Sequence, residues 1–399
     1  MKELLFLTTL NLSTNPRLTK ELQLLSPEIK CTLVCFNFGD WTVESDLSIG
    51  SDIVNFRCII LNATRKPIWP WIYYNLLHRI YYWLGGTFIR NIRFQAYASH
   101  KRSIQLDHGI NRLNSTFDHV IAHNLGALYP AFRYARKNGI RFSFDLEDYH
   151  PGESVRDKNE IPRRLFLLKK ILPEAQFTTY ASPLIGLTML KELNPEQKSK
   201  FHLVRNTFYS SDFVRPEKIS GKVRFVWFSQ NITTGRGLEY ILPVLELYSD
   251  SIELHIIGKK KYAKTDLALE KPHIEIHPPM VPGQLHSLLS KMDIGLAIEE
   301  SKVDMNKDIC LSNKLFAYIQ AGLYVILSNT SGQTDFITHY PRYGIGVDLE
   351  YGKLADCIDK VMRYIEDIRS DKLSRWEKAK EFDYLNEASE LKMLLKNEI

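Results

Sequence analysis

Short apolar runs, each closed by a polar turn and followed by a segment of helix length, recur from the start of the chain. Leu4-Leu5-Phe6-Leu7 is the first. Such a run has no hydrophilic side to turn toward water, so it is expected to be buried on both faces, as strands are in a parallel sheet. Asn15-Pro16-Arg17-Leu18 then opens a helix, because Asn is a good N-cap and Pro is tolerated in the first turn. The unit returns at residues 31–36, at 119–122 with a helix toward Asn138, at 140–144, and at 177–180 with a helix from near Pro183. Alternation of this kind predicts an open parallel α/β sheet.

Near Asn206 the alternation breaks into loop residues, Tyr209-Ser210-Ser211-Asp212 and then Pro216 and Gly221. A second series starts at Val223-Arg224-Phe225-Val226-Trp227-Phe228 and continues with strands over 252–257, 274–277, 294–298 and 324–327. A chain of 399 residues is long for one core. The expectation is therefore two Rossmann-like domains facing each other across a cleft. Residues 1–207 form the first, 208–375 the second, and 376–399 a helical tail packing back on the first.

Hydrophobic residues at 44% and charged residues at 25% describe a globular protein. A net charge of +6 favours anionic partners such as nucleoside diphosphates or anionic lipid, and also suits an ordinary basic surface. Cys31, Cys35, Cys58, Cys310 and Cys357 lack paired zinc-type spacing and read as buried thiols in a reducing compartment. The opening apolar run is too short for a signal peptide, and every apolar run stops well short of the roughly 20 residues a membrane helix needs. A cytoplasmic location is expected.

One segment departs from this average. Between Asp52 and Asp107 there is no Asp or Glu, while Arg57, Arg65, Lys66, Arg79, Arg90, Arg93, Lys101 and Arg102 are present. Among them stand Trp69, Trp71, Tyr73, Tyr74, Tyr81, Tyr82, Trp83 and Phe88. Cations mixed with aromatics suit anionic lipid headgroups, so residues 65–102 are a candidate membrane-surface contact. The plainer alternative is a helix with its rings inward and its charges in water. No recognition motif supports nucleic acid.

Anions bind α/β folds at the carboxyl ends of strands, where helix starts present N–H groups. Three loops fit. Thr9-Leu10-Asn11-Leu12-Ser13-Thr14-Asn15-Pro16-Arg17 is polar and carries a cation, but lacks a glycine pair. Ser229-Gln230-Asn231-Ile232-Thr233-Thr234-Gly235-Arg236-Gly237 follows the first strand of the second series. There Gly235 and Gly237 let backbone approach an anion, and Arg236 offers a planar fork for diphosphate oxygens. In the third, Ser312 or Asn313 caps a helix with Lys314 in its first turn, followed by Leu315-Phe316, and Gly322 ends it. A surface turn and a merely structural helix are the alternatives for the last two.

Asn15-Pro16-Arg17, Arg236-Gly237-Leu238-Glu239 and Asn313-Lys314-Leu315-Phe316-x-Tyr318-x-x-Ala321-Gly322 together resemble the retaining GT-B glycosyltransferases of family 4. His123-Asn124, Asn206 and Gly332-Gln333 add to the resemblance, which covers nearly the whole chain. It implies transfer of a hexose from a nucleoside diphosphate sugar to a glycan or lipid-linked acceptor, often in bacterial surface polysaccharide, with no metal and no tightly bound cofactor. By position, Arg236 matches the cation on the donor diphosphate. Lys314, with the amides near Leu315 and Phe316, matches the phosphate-binding helix start, with Ser229, Gly235, Gly237, Ser312 and Asn313 beside them. Glu299 or Glu300 matches the acid facing the donor sugar. In the first domain Asn15, Arg17, His123, Asn124, Asp145, Glu147 and Asp148 fall where acceptor and sugar contacts occur. Arg236, Lys314, Glu299 and His123 are the residues expected to carry catalysis.

Three features depart from the family pattern. Ala317 replaces the usual ribose-binding glutamate, the first loop lacks its glycines, and Glu147 stands where His is common. The Asp145–Asp148 carboxylates also suit a hard cation, although a hydrogen-bonding role accords with metal-free transfer. A non-catalytic scaffold, which Ala317 favours, and a nucleotide-sugar epimerase of the same architecture are the other readings.

Overall fold

A computed structural model describes residues 2–39, 42–85, 88, 90–155, 157, 159–260, 267–300 and 304–397. The chain forms two compact units, Met1–Val204 with Ala388–Ile399, and Arg205–Glu387. In the first, β1 (Glu3–Thr8), β2 (Lys30–Asn37), β3 (Phe56–Asn62), β4 (His119–His123), β5 (Arg141–Leu146), β6 (Thr178–Tyr180) and β7 (Phe201–Leu203) make one parallel sheet. Its order is β3-β2-β1-β4-β5-β6-β7, so the direction of winding reverses between β1 and β4. In the second, β8 (Val223–Ile232), β9 (Ile252–Lys260), β10 (Ile274–His277), β11 (Ile294–Ala297), β12 (Tyr324–Ser328) and β13 (Gly344–Val347) are again all parallel. The order β10-β9-β8-β11-β12-β13 reverses between β8 and β11. Both are Rossmann-like α/β domains.

Burial on both faces explains the uninterrupted apolar runs. On one side of the second sheet Phe225, Trp227, Leu254, Ile256, Ile294 and Leu296 join one core. On the other side Val226, Ile257, Ala297, Val325 and Leu327 join another. The strands at 56–62, 201–203 and 344–347 are not among those expected from the sequence, although 56–62 contains the apolar run Cys58-Ile59-Ile60-Leu61. β3, β7 and β13 are the outer strands of their sheets. There one side of the strand stays wet, and β3 accordingly alternates half-buried and exposed residues.

Residues 376–387 lie with the second unit, where Phe382 packs edge-on among Tyr340, Tyr343 and Phe316. Only the last helix, Ser389–Asn397, belongs to the first unit. Leu391 and Leu395 are buried there, and Lys392 pairs with Glu28 at 2.8 Å. Of the cysteines, Cys31, Cys35 and Cys357 are buried as expected, whereas Cys58 is exposed and Cys310 half-buried.

A glycine in β11 controls where one helix of the second domain sits. The helix Asn313–Gln320 lays the buried ring of Tyr318 on Gly295, so a methyl at 295 would fall inside the ring's van der Waals surface. The Tyr318 hydroxyl in turn accepts a hydrogen bond from the Phe228 amide, 3.3 Å away near the carboxyl end of β8. Gly295→Ala is expected to destabilise the second domain by about 1–3 kcal/mol in urea unfolding, the usual cost of overpacking a filled core. An unchanged midpoint would show that Tyr318 moves aside freely.

Candidate functional site

In open α/β sheets ligands bind beyond the carboxyl ends of the strands where the winding reverses, because the flanking loops diverge there and leave a crevice. In the second domain that point lies between β8 and β11. The loop after β8 reaches Gly235 and Gly237, both in left-handed backbone conformation with φ of +76° and +91°. Gly237 is also sterically obligatory, since a Cβ there would lie 2.5 Å from Ile298 Cγ2 and 2.9 Å from the Ile298 carbonyl oxygen. The loop is thus pressed onto the end of β11, one residue before Glu299. Between the glycines Arg236 is exposed, and one of its terminal N–H groups donates to Ser229 Oγ at 3.1 Å. Glu239 closes the turn by accepting from the Gly235 amide.

The third predicted loop reaches the same place. Lys314 Nζ lies 2.7 Å from Glu299 Oε1, with both side chains mostly buried, and 5.6 Å from the centre of the Trp227 ring. The Glu299 amide donates to Ser328 Oγ, whose hydroxyl donates to Gln333. Glu300 accepts instead from the Tyr240 hydroxyl at 3.0 Å. Ser312 stands at the N-cap position of the Asn313–Gln320 helix, but no side chain caps that helix. The Ser312 hydroxyl is buried with no hydrogen-bond partner among the described residues. A helix start without a side-chain cap leaves its first N–H groups available to an anion. Leu315 and Phe316 have their side chains in the core together with Ala317, and the Leu315 amide donates to the Ser312 carbonyl at 3.0 Å. A pocket of about 330 Å³ opens beside these groups, lined by Glu299, Glu300, Ser328, Thr330 and Asp348.

In the first domain several predicted contact residues form an internal ionic framework. The Arg17 guanidinium donates to both oxygens of Asp145 at 2.7 Å and to the Val204 carbonyl at 2.5 Å. Asp145 also accepts from Thr179 Oγ1 at 2.6 Å. His123 lies 3.3 Å from Asp145 and 3.1 Å from Glu21. Arg17, Glu21, His123 and Asp145 are all at least nine-tenths buried. Burial opposes the charge on His123, but the two carboxylates outweigh it and hold the imidazolium up to about 10. Burial likewise opposes the Asp145 charge, and Arg17 and His123 overcome it, keeping its carboxyl far below the usual range. Asn15 serves as the expected N-cap, accepting from the Leu18 amide at 3.1 Å.

What faces the reversal point between β1 and β4 is a pocket of about 210 Å³ lined by Thr9, Asn124, Gly126, Glu147, Asp148 and His150, among others. Asn124 is held at φ +68° by accepting from Thr9 Oγ1 and donating to Thr8 Oγ1, at 2.7 and 2.8 Å. Burial, with the charges of Asp148 and Asp145, pushes the Glu147 carboxyl up to about 7. Sequence reasoning missed His100, His150, Glu153 and Arg164 on this wall. His150 is buried and 2.9 Å from Glu153, and its Nε2 has no hydrogen-bond partner among the described residues. Its place in the run Asp145-Leu146-Glu147-Asp148-Tyr149-His150 was the available signal.

The basic aromatic segment divides cleanly. In the helix Ile68–Gly85, Tyr74 and Tyr81 turn inward, against His108 and against Phe94 and Tyr97. Trp69, Tyr73, Leu76, Ile80 and Trp83 turn outward, with the two tryptophans 76% and 78% exposed. Their spacing of four and three residues puts them on one face. Arg65, Lys66, Arg79, Arg90, Arg93 and Lys101 are exposed around it. Arg102 is not part of that set: it donates to the Thr9 carbonyl at 2.9 Å and lies 4.1 Å over the Phe38 ring. Among the described residues no helix is long and apolar enough to cross a membrane.

No protein-family model matches the chain, and no curated protein matches it. Solved structures do. HepE of Anabaena, in complex with UDP and glucose, aligns with a TM-score of 0.69 at 12% identity, covering 99% of this chain and 100% of its own. Sucrose-phosphate synthase of Thermosynechococcus elongatus gives 0.68 at 10% identity, covering 99% and 98%. A glycosyltransferase of Rickettsia africae gives 0.63 at 14% identity, covering 99% of each chain. The chain therefore has the two-domain α/β fold of these transferases.

The buried framework yields a stability prediction. Asp145→Asn keeps the shape and removes the charge, leaving Arg17 and His123 buried without it, at a cost of about 3–5 kcal/mol of unfolding free energy. The lowered Asp145 pKa gives stability that is complete above its unfolded value of about 3.9 and is lost as the pH falls. The raised His123 pKa gives stability complete below about 6.5 and lost as the pH rises toward its folded value near 10. Urea unfolding from pH 5 to 10 should show the alkaline decline in the wild type and not in His123→Gln. Parallel curves for the two would show that His123 is neutral.

Proposed function

We propose that the chain is a nucleotide-sugar glycosyltransferase of the family 4 type, moving a hexose from a nucleoside diphosphate sugar to a glycan or lipid-linked acceptor with retention. The observation that carries this reading is the meeting, at the β8/β11 reversal, of the Arg236 loop pressed on Ile298, the Lys314–Glu299 pair and an uncapped helix start. Transfer breaks the bond between the anomeric carbon and a diphosphate oxygen, so negative charge grows on the diphosphate. Arg236, Lys314 and the amides beginning at Asn313 are cations and dipoles fixed in advance around that charge, and they replace a metal. Ser229, Gly235 and Gly237 shape the loop, and Glu299 faces the sugar. On the departing side, a diphosphate oxygen takes the acceptor's proton as the acceptor bonds to the same face. The complex of HepE with UDP-glucose supports the choice of donor class.

The first-domain pocket takes the acceptor, with Asn124, Glu147 and Asp148 offered to its hydroxyls. Arg17, His123 and Asp145 hold that wall in place. Ala317 is fully buried, so the ribose is read by other groups, for which Glu300 and Asp348 in the second-domain pocket are available. The outward stripe of the Ile68–Gly85 helix rests on an anionic membrane surface, which brings the enzyme to a lipid-linked acceptor at the inner face of the plasma membrane, in surface polysaccharide synthesis.

Arg236→Ala and Lys314→Ala should each cost about 2–4 kcal/mol in the transition state, read as a loss of kcat/KM of roughly 30- to 1,000-fold. The assay is turnover of a panel of nucleotide sugars in EDTA, with the product anomer read by NMR. Wild-type rates in both variants would displace the donor site. Inversion would remove the proposed proton route, isomerised donor would mark an epimerase, and no binding of any donor would leave a scaffold.

The membrane contact has its own readout. The protein should sediment with anionic liposomes and not with neutral ones, and salt should release it, because each cation near such a surface gains about 1 kcal/mol through a screened field. Trp69→Ser with Trp83→Ser should abolish sedimentation without altering the unfolding midpoint, both rings being in water already. Sedimentation unchanged in that variant would assign the stripe to something else.

A further inference from the structure

Far along the second sheet from the β8/β11 reversal, the outer strand β10 carries Glu275-x-His277 beside His255 of β9. The parallel register sets Glu275 opposite His255 and His277 opposite Ile257. Side chains alternate along a strand, so Glu253, His255, Glu275 and His277 share one face while Leu254 and Ile256 enter the core on the other. On that face two imidazole nitrogens and both oxygens of one carboxylate converge. His255 Nδ1 is 3.0 Å from His277 Nε2 and 3.4 Å from Glu275 Oε2, and His277 Nε2 is 3.6 Å from Glu275 Oε1.

We propose that His255, Glu275 and His277 form a binding site for a late first-row divalent cation, zinc above all. Zinc ligands at about 2.0–2.1 Å in a tetrahedron stand about 3.3–3.4 Å apart, which is the spacing found here within a few tenths of an ångström. Two imidazoles and one carboxylate favour zinc, cobalt or nickel over magnesium or calcium, which prefer all-oxygen sets. Without an ion the same groups form a hydrogen bond between the two imidazoles and ion pairs of each with Glu275, so metal binding is what titration must show.

The surroundings fit a ligand role. His255 is buried, so its ring is held in place by the surrounding sheet. Its Nε2 lies 4.0 Å from Glu253 Oε2, which is itself held by Arg224 Nε at 3.2 Å. Glu275 is exposed, so the fourth position opens to solvent. A bound ion would cross-link the four-residue outer strand β10 to β9. The inference does not rest on the proposed transfer reaction, which uses other residues.

The test is calorimetric titration of the EDTA-stripped, dialysed full-length chain with zinc chloride, alongside cobalt chloride followed by visible absorption. One zinc per chain is expected, with an upward shift in the unfolding temperature that magnesium does not produce and intense tetrahedral d–d bands from cobalt. His277→Ala and Glu275→Gln, both at water-accessible side chains, should each weaken zinc binding at least tenfold while the metal-free unfolding temperature stays within a few degrees of wild type. Absence of zinc binding in the wild type, or affinity and cobalt spectra unchanged in both variants, would overturn the assignment.

Discussion

The first domain is organised around one buried carboxylate. Asp145, near the carboxyl end of β5, gathers Arg17 from the helix after β1, His123 from the end of β4 and Thr179 from β6. Arg17 then ties in the chain after β7 through the Val204 carbonyl. A parallel sheet gives its strand ends no hairpins to join them, so their relative heights must be set by side chains. A charge that cannot be left unpaired in a dry interior does this strictly, because any strand that slips exposes a partner of the network to isolation. The pocket of Glu147, Asp148 and Asn124 begins where this framework ends, and its shape depends on it.

The second domain solves the same problem sterically. Tyr318 on Gly295 fixes the height of the Asn313–Gln320 helix, and Gly237 against Ile298 fixes the loop after β8. Two contacts that only glycine permits thus determine where Lys314 and Arg236 project. The contrast suits what each domain presents: carboxylates and amides in one, cations and helix dipoles in the other.

The repeating strand–helix units were legible because burial on both faces leaves an unmistakable apolar run. The outer strands β7 and β13 were not, being three and four residues long with little apolar length to read, and β3 was passed over despite its run Cys58-Ile59-Ile60-Leu61. Loop positions such as Arg236 and Lys314 could be read from glycines and helix-start residues, which act locally. The pairing of Arg17 with Asp145 spans 128 residues and could not be read from either residue's neighbours. For the same reason both residues were placed as substrate contacts when their side chains are buried in the framework. Ser312 shows the opposite limit: its type suggests a capping hydroxyl, yet its rotamer leaves the hydroxyl unbonded. His255, Glu275 and His277 come together only through the register of two strands, which no local pattern encodes.

The Lys314–Glu299 contact has a consequence for occupancy. The ammonium already has a counter-ion 2.7 Å away, supplied by the protein and present at a very high effective concentration. A small anion such as free phosphate must compete with that carboxylate and gains little from the lysine alone. A ligand that separates the pair must supply further contacts to compensate. The same carboxylate stands ready to reclaim the lysine when such a ligand loosens, which shortens its residence. An internal rival of this kind trades affinity for selectivity toward any anion that approaches the lysine.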